Sequence, residues 1–360
     1  MKKRNIIIIA AVAAVGLIAL LVAQRGSRKA TFKQDYHIED IASVSKIYMA
    51  DKENNEVTLS RTADSTWLVD GKYEGNKPMI DILLETLNTM RIRKQVNHAA
   101  IPNIVKDLAA HSIKVEVYET KAFINWFGGR LRLFEREKLA CTYYVGRETQ
   151  DMLGSYMLRE GDKVPCIIHI PGFRGFLTPR FVTEPLKWRS HLIADLSVDR
   201  IERIELDIPA MPEESFAVVR RSDGQGFDLE LTSTHTKVPS FDTARVAQML
   251  SSFTWLNFDE FASIVPDSFA DSCVSVEPRT ILHITSTDGE THEVKSYIKY
   301  TNPNDLSYVK DPNMYEMFDV DRLYAIVDNK DTVLIQFYAF DNILQPASYF
   351  LGHDTAIPMQ

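Results

Sequence analysis

The chain carries one stretch of pattern twice, and no other feature limits its fold as strongly. Ser43-Val-Ser-Lys-Ile47 returns as Ser197-Val-Asp-Arg-Ile201. Val57-Thr-Leu-Ser-Arg61, then Trp67-Leu-Val69, returns as Phe216-Ala-Val-Val-Arg220, then Phe227-Asp-Leu229. These segments alternate apolar and polar residues and are rich in β-branched and aromatic side chains, which reads as antiparallel strands. A helix follows in each copy. Asn76 is placed to cap the first, and Pro78 suits its opening turn. Ile80, Leu83, Leu84, Leu87 and Met90 then form an apolar stripe at helical spacing. Val246, Met249, Leu250 and Phe253 repeat it behind Ser240 or Asp242. The expected fold is α+β: two tandem repeats of a mostly antiparallel sheet with a packed helix, over residues 37–192 and 193–360. At about 150 residues per domain, a 360-residue chain has room for both.

The copies differ in one place. Ile113–Val117 matches Leu282–Ser286 at an offset of 169, and Gly154–Met157 matches Leu306–Val309 at an offset of 152. The first copy therefore holds about 17 extra residues between Val117 and Gly154. Residues 121–138 are the expected insertion. Two β-prone arms flank Gly128-Gly129, a two-residue hairpin signal. Such a hairpin sets Trp126 opposite Leu131 and Phe127 opposite Arg130. Ile124, Trp126, Leu131 and Leu133 then share one face, and Phe123, Phe127, Arg130, Arg132 and Phe134 the other. Aromatic and arginine side chains are the ones enriched in binding hot spots and at the bilayer interface, which makes this hairpin a candidate arm that docks on a partner or rests on the lipid surface. Its plainer use is to cover the domain core, with the Arg stems shielding Phe rings.

Ahead of the repeats lies Ile6–Ala23, 18 residues without a charge. As a helix it spans about 27 Å, close to the hydrocarbon thickness of a bilayer. It is longer than the apolar run of a cleaved signal and is followed by Arg25, Arg28 and Lys29. The expected layout is a cytoplasmic head (1–5), a transmembrane helix (6–23), a linker (24–36) and a body outside the cytoplasm. Residues 1–33 hold seven basic residues and no acid. The rest of the chain holds 34 basic against 49 acidic residues, a net of −15. Such a body repels phosphate backbones, so nucleic acid is not an expected partner. Inner-membrane lipid, through residues 6–23, is.

No hydrolase elbow, zinc-helix, phosphate-loop or paired-cysteine motif is present in the sequence. Three weaker signals remain. His283 and His292 flank Asp288-Gly289; a two-residue turn there sets Thr285 opposite His292 and brings both imidazoles to one face, where they would share a metal only with further ligands. Asp319 and Asp321 alternate as solvated carboxylates do. Ile170–Leu177 holds Phe173, Arg174 and Phe176 among two glycines and reads as a tight connection packing two Phe, with Arg180, Lys187 and Arg189 making the region locally basic. Cys141 and Cys166 fall in strands of one copy, as buried thiols or a pair. No cofactor, metal or catalytic residue is expected.

Ile41–Asp51, Thr142-Tyr-Tyr-Val-Gly146 with Thr149–Gly154, Pro171–Phe176 and Trp188-Arg189-Ser190 resemble the domain-of-unknown-function 4340 family. These are membrane-anchored or extracytoplasmic envelope proteins of bacteria, and a related domain is associated with accessory subunits of gliding-motility ABC transporters. The resemblance covers about residues 38–210 and implies an envelope location with an accessory or structural role. It carries no activity over. The expected function is therefore a non-catalytic, single-pass inner-membrane protein with a periplasmic body, bound to an envelope partner through the hairpin (Phe123, Trp126, Phe127, Arg130, Arg132, Phe134) and the Phe173, Arg174, Phe176 loop. The alternatives are a hydrolase of envelope polymers, drawing on groups such as His169 and His191, and a small-ligand binder, either with its site between the halves.

Overall fold

The structure, a computed structural model, describes residues 36–126, 131–263, 270–300 and 318–351. The head, the apolar run, the linker up to residue 35 and the hairpin tip with Phe127 and Arg130 lie outside the described residues. Among those described, no helix is long and apolar enough to cross a membrane. The molecule is mostly β, with two large antiparallel sheets and seven described helices. The chain divides into two compact units, Met1–Trp188 and Arg189–Gln360.

In unit 1, β1 (Val44–Ala50), β2 (Glu56–Arg61), β3 (Trp67–Val69) and β4 (Tyr73–Glu74) form a meander. Helix α1 (Lys77–Thr89), β5 (Arg91–Gln95) and α2 (Ile101–His111) come next. They are followed by β6 (Ile113–Trp126), β7 (Leu131–Glu148), β8 (Ser155–Arg159), β9 (Cys166–His169) and the short α3 (Pro185–Trp188). The sheet order is β4-β3-β2-β1-β6-β7-β8-β9-β5. Unit 2 opens with β10 (Leu192–Ala194), then β11 (Ile201–Asp207), β12 (Phe216–Arg220), β13 (Phe227–Leu231) and β14 (Thr236–Lys237). It continues through α4 (Thr243–Ser251), β15 (Leu256–Asn257), β16 (Glu260–Phe261) and α5 (Ala270–Cys273). It ends with β17 (Thr280–Ser286), β18 (Thr291–Tyr300), β19 (Phe318–Val327), β20 (Asp331–Gln336), α6 (Phe337–Phe340) and α7 (Ala347–Phe350). Its large sheet runs β14-β13-β12-β11-β17-β18-β19-β20-β16, the same order position for position, and β10 pairs with β15 alone.

The helices form where their caps and stripes predict. The Asn76 side chain accepts from Met79 N–H, and Asp242 accepts from Ala244 and Arg245 N–H. Ile80, Leu83, Leu84, Leu87 and Met90 are buried, as are Val246, Met249, Leu250 and Phe253. Each such side chain contributes roughly 1.5–3 kcal/mol, enough to fix the helix on its sheet. One device recurs beyond the sheet order. Arg61 lies 4.9 Å from the Trp67 ring and donates to the carbonyls of Ile41 and Ala42. Arg220 lies 4.8 Å from the Phe227 ring and donates to those of Val198 and Ile201. Each arginine ties the end of a strand to the 3-10 turn that starts its sheet.

The pairing corrects the alignment read from the sequence. Strands β1 and β11 bury residues in the same pattern, Val44, Ile47 and Met49 against Ile201, Ile204 and Leu206. Val44 thus matches Ile201, three residues from the alignment that matched Ile47 with Ile201. Likewise Met49↔Val115 and Leu206↔Leu282 make Val115, not Ile113, the counterpart of Leu282. Leu306–Val309 lies outside the described residues, and β19 holds the place in the order that β8 holds in unit 1. The excess is nevertheless at the β6–β7 hairpin. Between paired Val117 and Cys141 lie 23 residues, and between their counterparts Ile284 and His292 lie 7.

The motifs behind the family resemblance sit at turns and close contacts. Asp51 accepts from the N–H of Glu53 and Asn55 and from the Thr183 hydroxyl. Thr149 and Gly154 close the β7–β8 turn, with Thr149 N–H donating to Gly154 O at 2.8 Å. A Cβ on Gly154 would lie 2.8 Å from both Ile168 O and Ile167 Cγ2. Gly154→Ala is expected to cost about 1–3 kcal/mol through forced backbone movement, read as a lower urea midpoint for unit 1. An unchanged midpoint would show that the turn yields freely.

Candidate functional site

The first candidate is the β6–β7 arm. Strand β6 is tied to β1 no further than Val44↔Glu119, and β7 meets β8 only from Tyr143↔Arg159 onward. Between these limits, residues 120–126 and 131–137 pair with each other alone. At about 3.4 Å per residue, this ribbon extends some 24 Å beyond the last pair that holds it to the sheet. Trp126 stands opposite Leu131, Asn125 opposite Arg132 and Ile124 opposite Leu133. The base of the arm is fixed. Lys46 meets Glu137 at 2.5 Å and lies 4.0 Å from the Tyr118 ring, and Ser45 donates to Glu137 at 2.9 Å. The Lys46 hydrogen bond holds the Glu137 carboxyl below its ordinary range.

The second candidate is the loop after β9. Phe173 N–H donates to Ile170 O, and Gly172 has φ +83°, so Ile170–Phe173 is a turn with Pro171 and Gly172 at its centre. The Phe173 ring stays 41% exposed. It packs over Gly175, where a Cβ would lie 2.8 Å from the ring, and under Arg180, whose guanidinium is 4.6 Å from its centroid. Arg174 is exposed and Phe176 half-buried. Two of the basic residues are paired, Lys187 with Glu184 at 3.5 Å and Arg189 with Asp331 at 2.7 Å, while Arg180 keeps its charge and donates to the Thr86 hydroxyl. Exposed Phe173 and Arg174 leave a small aromatic–cationic knob on a rigid turn.

The signals weighed for chemistry resolve differently. The β17–β18 turn has three residues, not two, with Gly289 at φ +89°. His292 therefore faces Ile284, while His283 faces Glu293. The one-residue change puts the two imidazoles on opposite faces, so they share no site. His292 contacts Asp328 at 3.1 Å, and His283 lies 3.9 Å from both Asp207 and Glu293. Among the described residues no group of three His, Cys, Asp or Glu could hold a metal. Asp319 is not a solvated carboxylate. Burial pushes its carboxyl up, but the Asp321 N–H and Lys299 outweigh that and hold it low. All three cysteines are buried, and none is in a disulfide among the described residues. Cys166 stands opposite Met157, which stands opposite Val145, four residues along β7 from Cys141, so the pair is out of reach.

His191 belongs to unit 2 and His169 to unit 1. The His191 ring stacks on Phe258 at 4.6 Å and meets Phe261 edge-on at 5.5 Å, and its Nε2 is buried without a partner. Burial lowers its pKa, against the pull of Glu260 and Asp259 and with the help of Arg189. The unfolded chain, titrating near 6.5, takes up the proton more readily than the folded unit. Stability is therefore full above pH 6.5 and falls as acid is added. His191→Gln is expected to flatten the Tm-against-pH curve of unit 2 between pH 7.5 and 5. A variant curve as steep as that of the parent would contradict this.

No family model, curated protein or solved structure matches the chain.

Proposed function

We propose that the chain is a membrane-anchored, non-catalytic binding or scaffold subunit of an envelope complex, with residues 6–23 in the inner membrane and two tandem copies of one α+β unit on the periplasmic side. The observation that carries this reading is the β6–β7 arm. Beyond its base, where Lys46 and Ser45 hold Glu137, the strands of the ribbon pair with each other and with no further described strand, and a partner surface is what would use such an arm. The matching place in unit 2 closes with a three-residue turn, so the fold does not need the arm. The uncharged run of 18 residues supports the anchor. The resemblance to envelope proteins with transporter-linked relatives supports the complex.

In-cell crosslinking followed by affinity capture from solubilised membranes tests the reading. Defined envelope proteins are expected to be recovered with the chain in fixed proportion. Recovery of the chain alone would overturn it.

A further inference from the structure

A cavity of about 430 Å³ opens in unit 2 at the ends of β11, β17 and β18. That volume falls within the range of about 300–1,000 Å³ of small-molecule sites. Its wall is apolar, with Ile208, Met211, Val276, Ile298, Tyr300 and Leu344 all lining it. Three of these are left in solvent, Met211 at 46%, Val276 at 58% and Tyr300 at 41% exposure. Polar side chains are few. The Thr280 hydroxyl is already bonded to that of Ser296 at 2.5 Å. Glu277 and Arg279, two residues apart, are exposed and have no ion pair among the described residues. Arg279 is held by its backbone N–H on Ser296 O at 2.7 Å and by the Phe337 ring, 5.8 Å from its guanidinium.

The matching corner of unit 1 is built differently. The burial pattern that pairs Val44 with Ile201 puts Asp51 in the place of Ile208. The Asp51 carboxylate accepts from the Thr183 hydroxyl at 2.7 Å, which ties that corner to the segment ending in Trp188. Ile208 has no polar group to offer, and Leu344, on the segment ending in Phe350, lines the cavity. In unit 1 only Ser112 separates α2 from β6, whereas residues 274–279 separate α5 from β17. That connection supplies Val276, Glu277 and Arg279 to the cavity. This wall is thus an addition of unit 2 and not a requirement of the shared fold.

We infer that this cavity binds a single-chain lipid with a zwitterionic head, its acyl chain against Ile208, Ile298 and Leu344, its anionic group on Arg279 and its ammonium on Glu277. The chain takes the exposed surfaces of Met211, Val276 and Tyr300 out of water. The Arg279 guanidinium matches the oxygens of the anionic group with two parallel hydrogen bonds. A head with one charge leaves the other member of the Glu277 and Arg279 set unmet and binds more weakly. A peptide would bring backbone N–H and C=O groups into a wall whose one hydroxyl, on Thr280, is already bonded. The site is independent of the arm and of the anchor.

The test uses the full chain in phosphatidylcholine nanodiscs and a lysophosphatidylethanolamine with a diazirine in its acyl chain, with the label mapped by digestion and mass spectrometry after illumination. Labelling is expected to saturate on the peptides that hold Met211, Val276 and Tyr300. Ala210→Trp, at an exposed residue of the cavity wall, is expected to remove that label while unit 2 still melts in calorimetry. Arg279→Gln and Glu277→Gln, both at exposed positions, are each expected to weaken labelling about two- to fivefold, the range of an exposed charge pair, and they decide the matter if Ala210→Trp does not fold. A fatty acid and an alkylamine with the same diazirine chain are expected to label more weakly, the acid losing further only in Arg279→Gln and the amine only in Glu277→Gln. Absence of saturable labelling in unit 2, labelling that a folded Ala210→Trp leaves intact, or equal labelling by the three heads would each overturn the assignment.

Discussion

Trp188→Ala is expected to unfold unit 1 at conditions where unit 2 stays folded. The Trp188 side chain is fully buried, its Nε1 donates to Val182 O at 2.9 Å, and its carbonyl accepts from the N–H of Asn76, the cap of α1. The truncation leaves a cavity and an unmet carbonyl together, at a cost of about 3–5 kcal/mol. Against a typical stability of about 5–15 kcal/mol that is most of the margin of a unit. Phe350 is the counterpart in unit 2: fully buried at the end of α7, it packs 5.0 Å from Phe216, and its carbonyl accepts from the N–H of Asp242, the cap of α4. Phe350→Ala is expected to do to unit 2 what Trp188→Ala does to unit 1. Calorimetry on the full chain checks both, with one transition moving in each variant. A parallel shift of both transitions would show that the units do not melt separately.

Replacing Phe123–Phe134 by Asn-Gly is expected to abolish partner capture and leave the melting of unit 1 where it was. Ala122 and Glu135 are already paired, so a two-residue turn closes the ladder at that point without moving its register. Every strand that pairs with β6 or β7 does so on the sheet side of the cut. Loss of folding in this variant would return the hairpin to the role of core cover. Intact folding with intact capture would move the docking surface elsewhere, with the exposed Phe173 and Arg174 turn the next to examine.

Much of the fold is legible because local chemistry decides it. Asn76, Pro78 and the Leu83–Leu84–Leu87 stripe specify a helix before any partner is known, and Gly128-Gly129 between β-prone arms specifies a hairpin. Register is harder. Matching Ser-Val-x-Lys/Arg-Ile by letters slipped β1 against β11 by three residues, whereas the alternation of Val44, Ile47, Met49 and Ile201, Ile204, Leu206 gives the right match. A strand is aligned by the face it buries, not by the residues it repeats. The β17–β18 turn failed similarly: Asp288-Gly289 is the signal for a two-residue loop, but Gly289 at φ +89° serves a three-residue one, and a one-residue slip turns His292 away from His283. The closing aromatics were invisible. Trp188 and Phe350 lie more than 100 residues from Asn76 and Asp242, and Pro-Leu-Lys-Trp and Ala-Ser-Tyr-Phe share no pattern beyond a final ring.

The topology on which the scaffold reading stands is open to one direct measurement: protease added to intact spheroplasts carrying a C-terminally tagged chain, with a cytosolic protein as the integrity marker. The account predicts that the tag and both units are digested while the marker survives. Survival of the full-length chain beside a surviving marker, under conditions that digest it once the membrane is opened, would contradict a body outside the cytoplasm and with it the envelope partner.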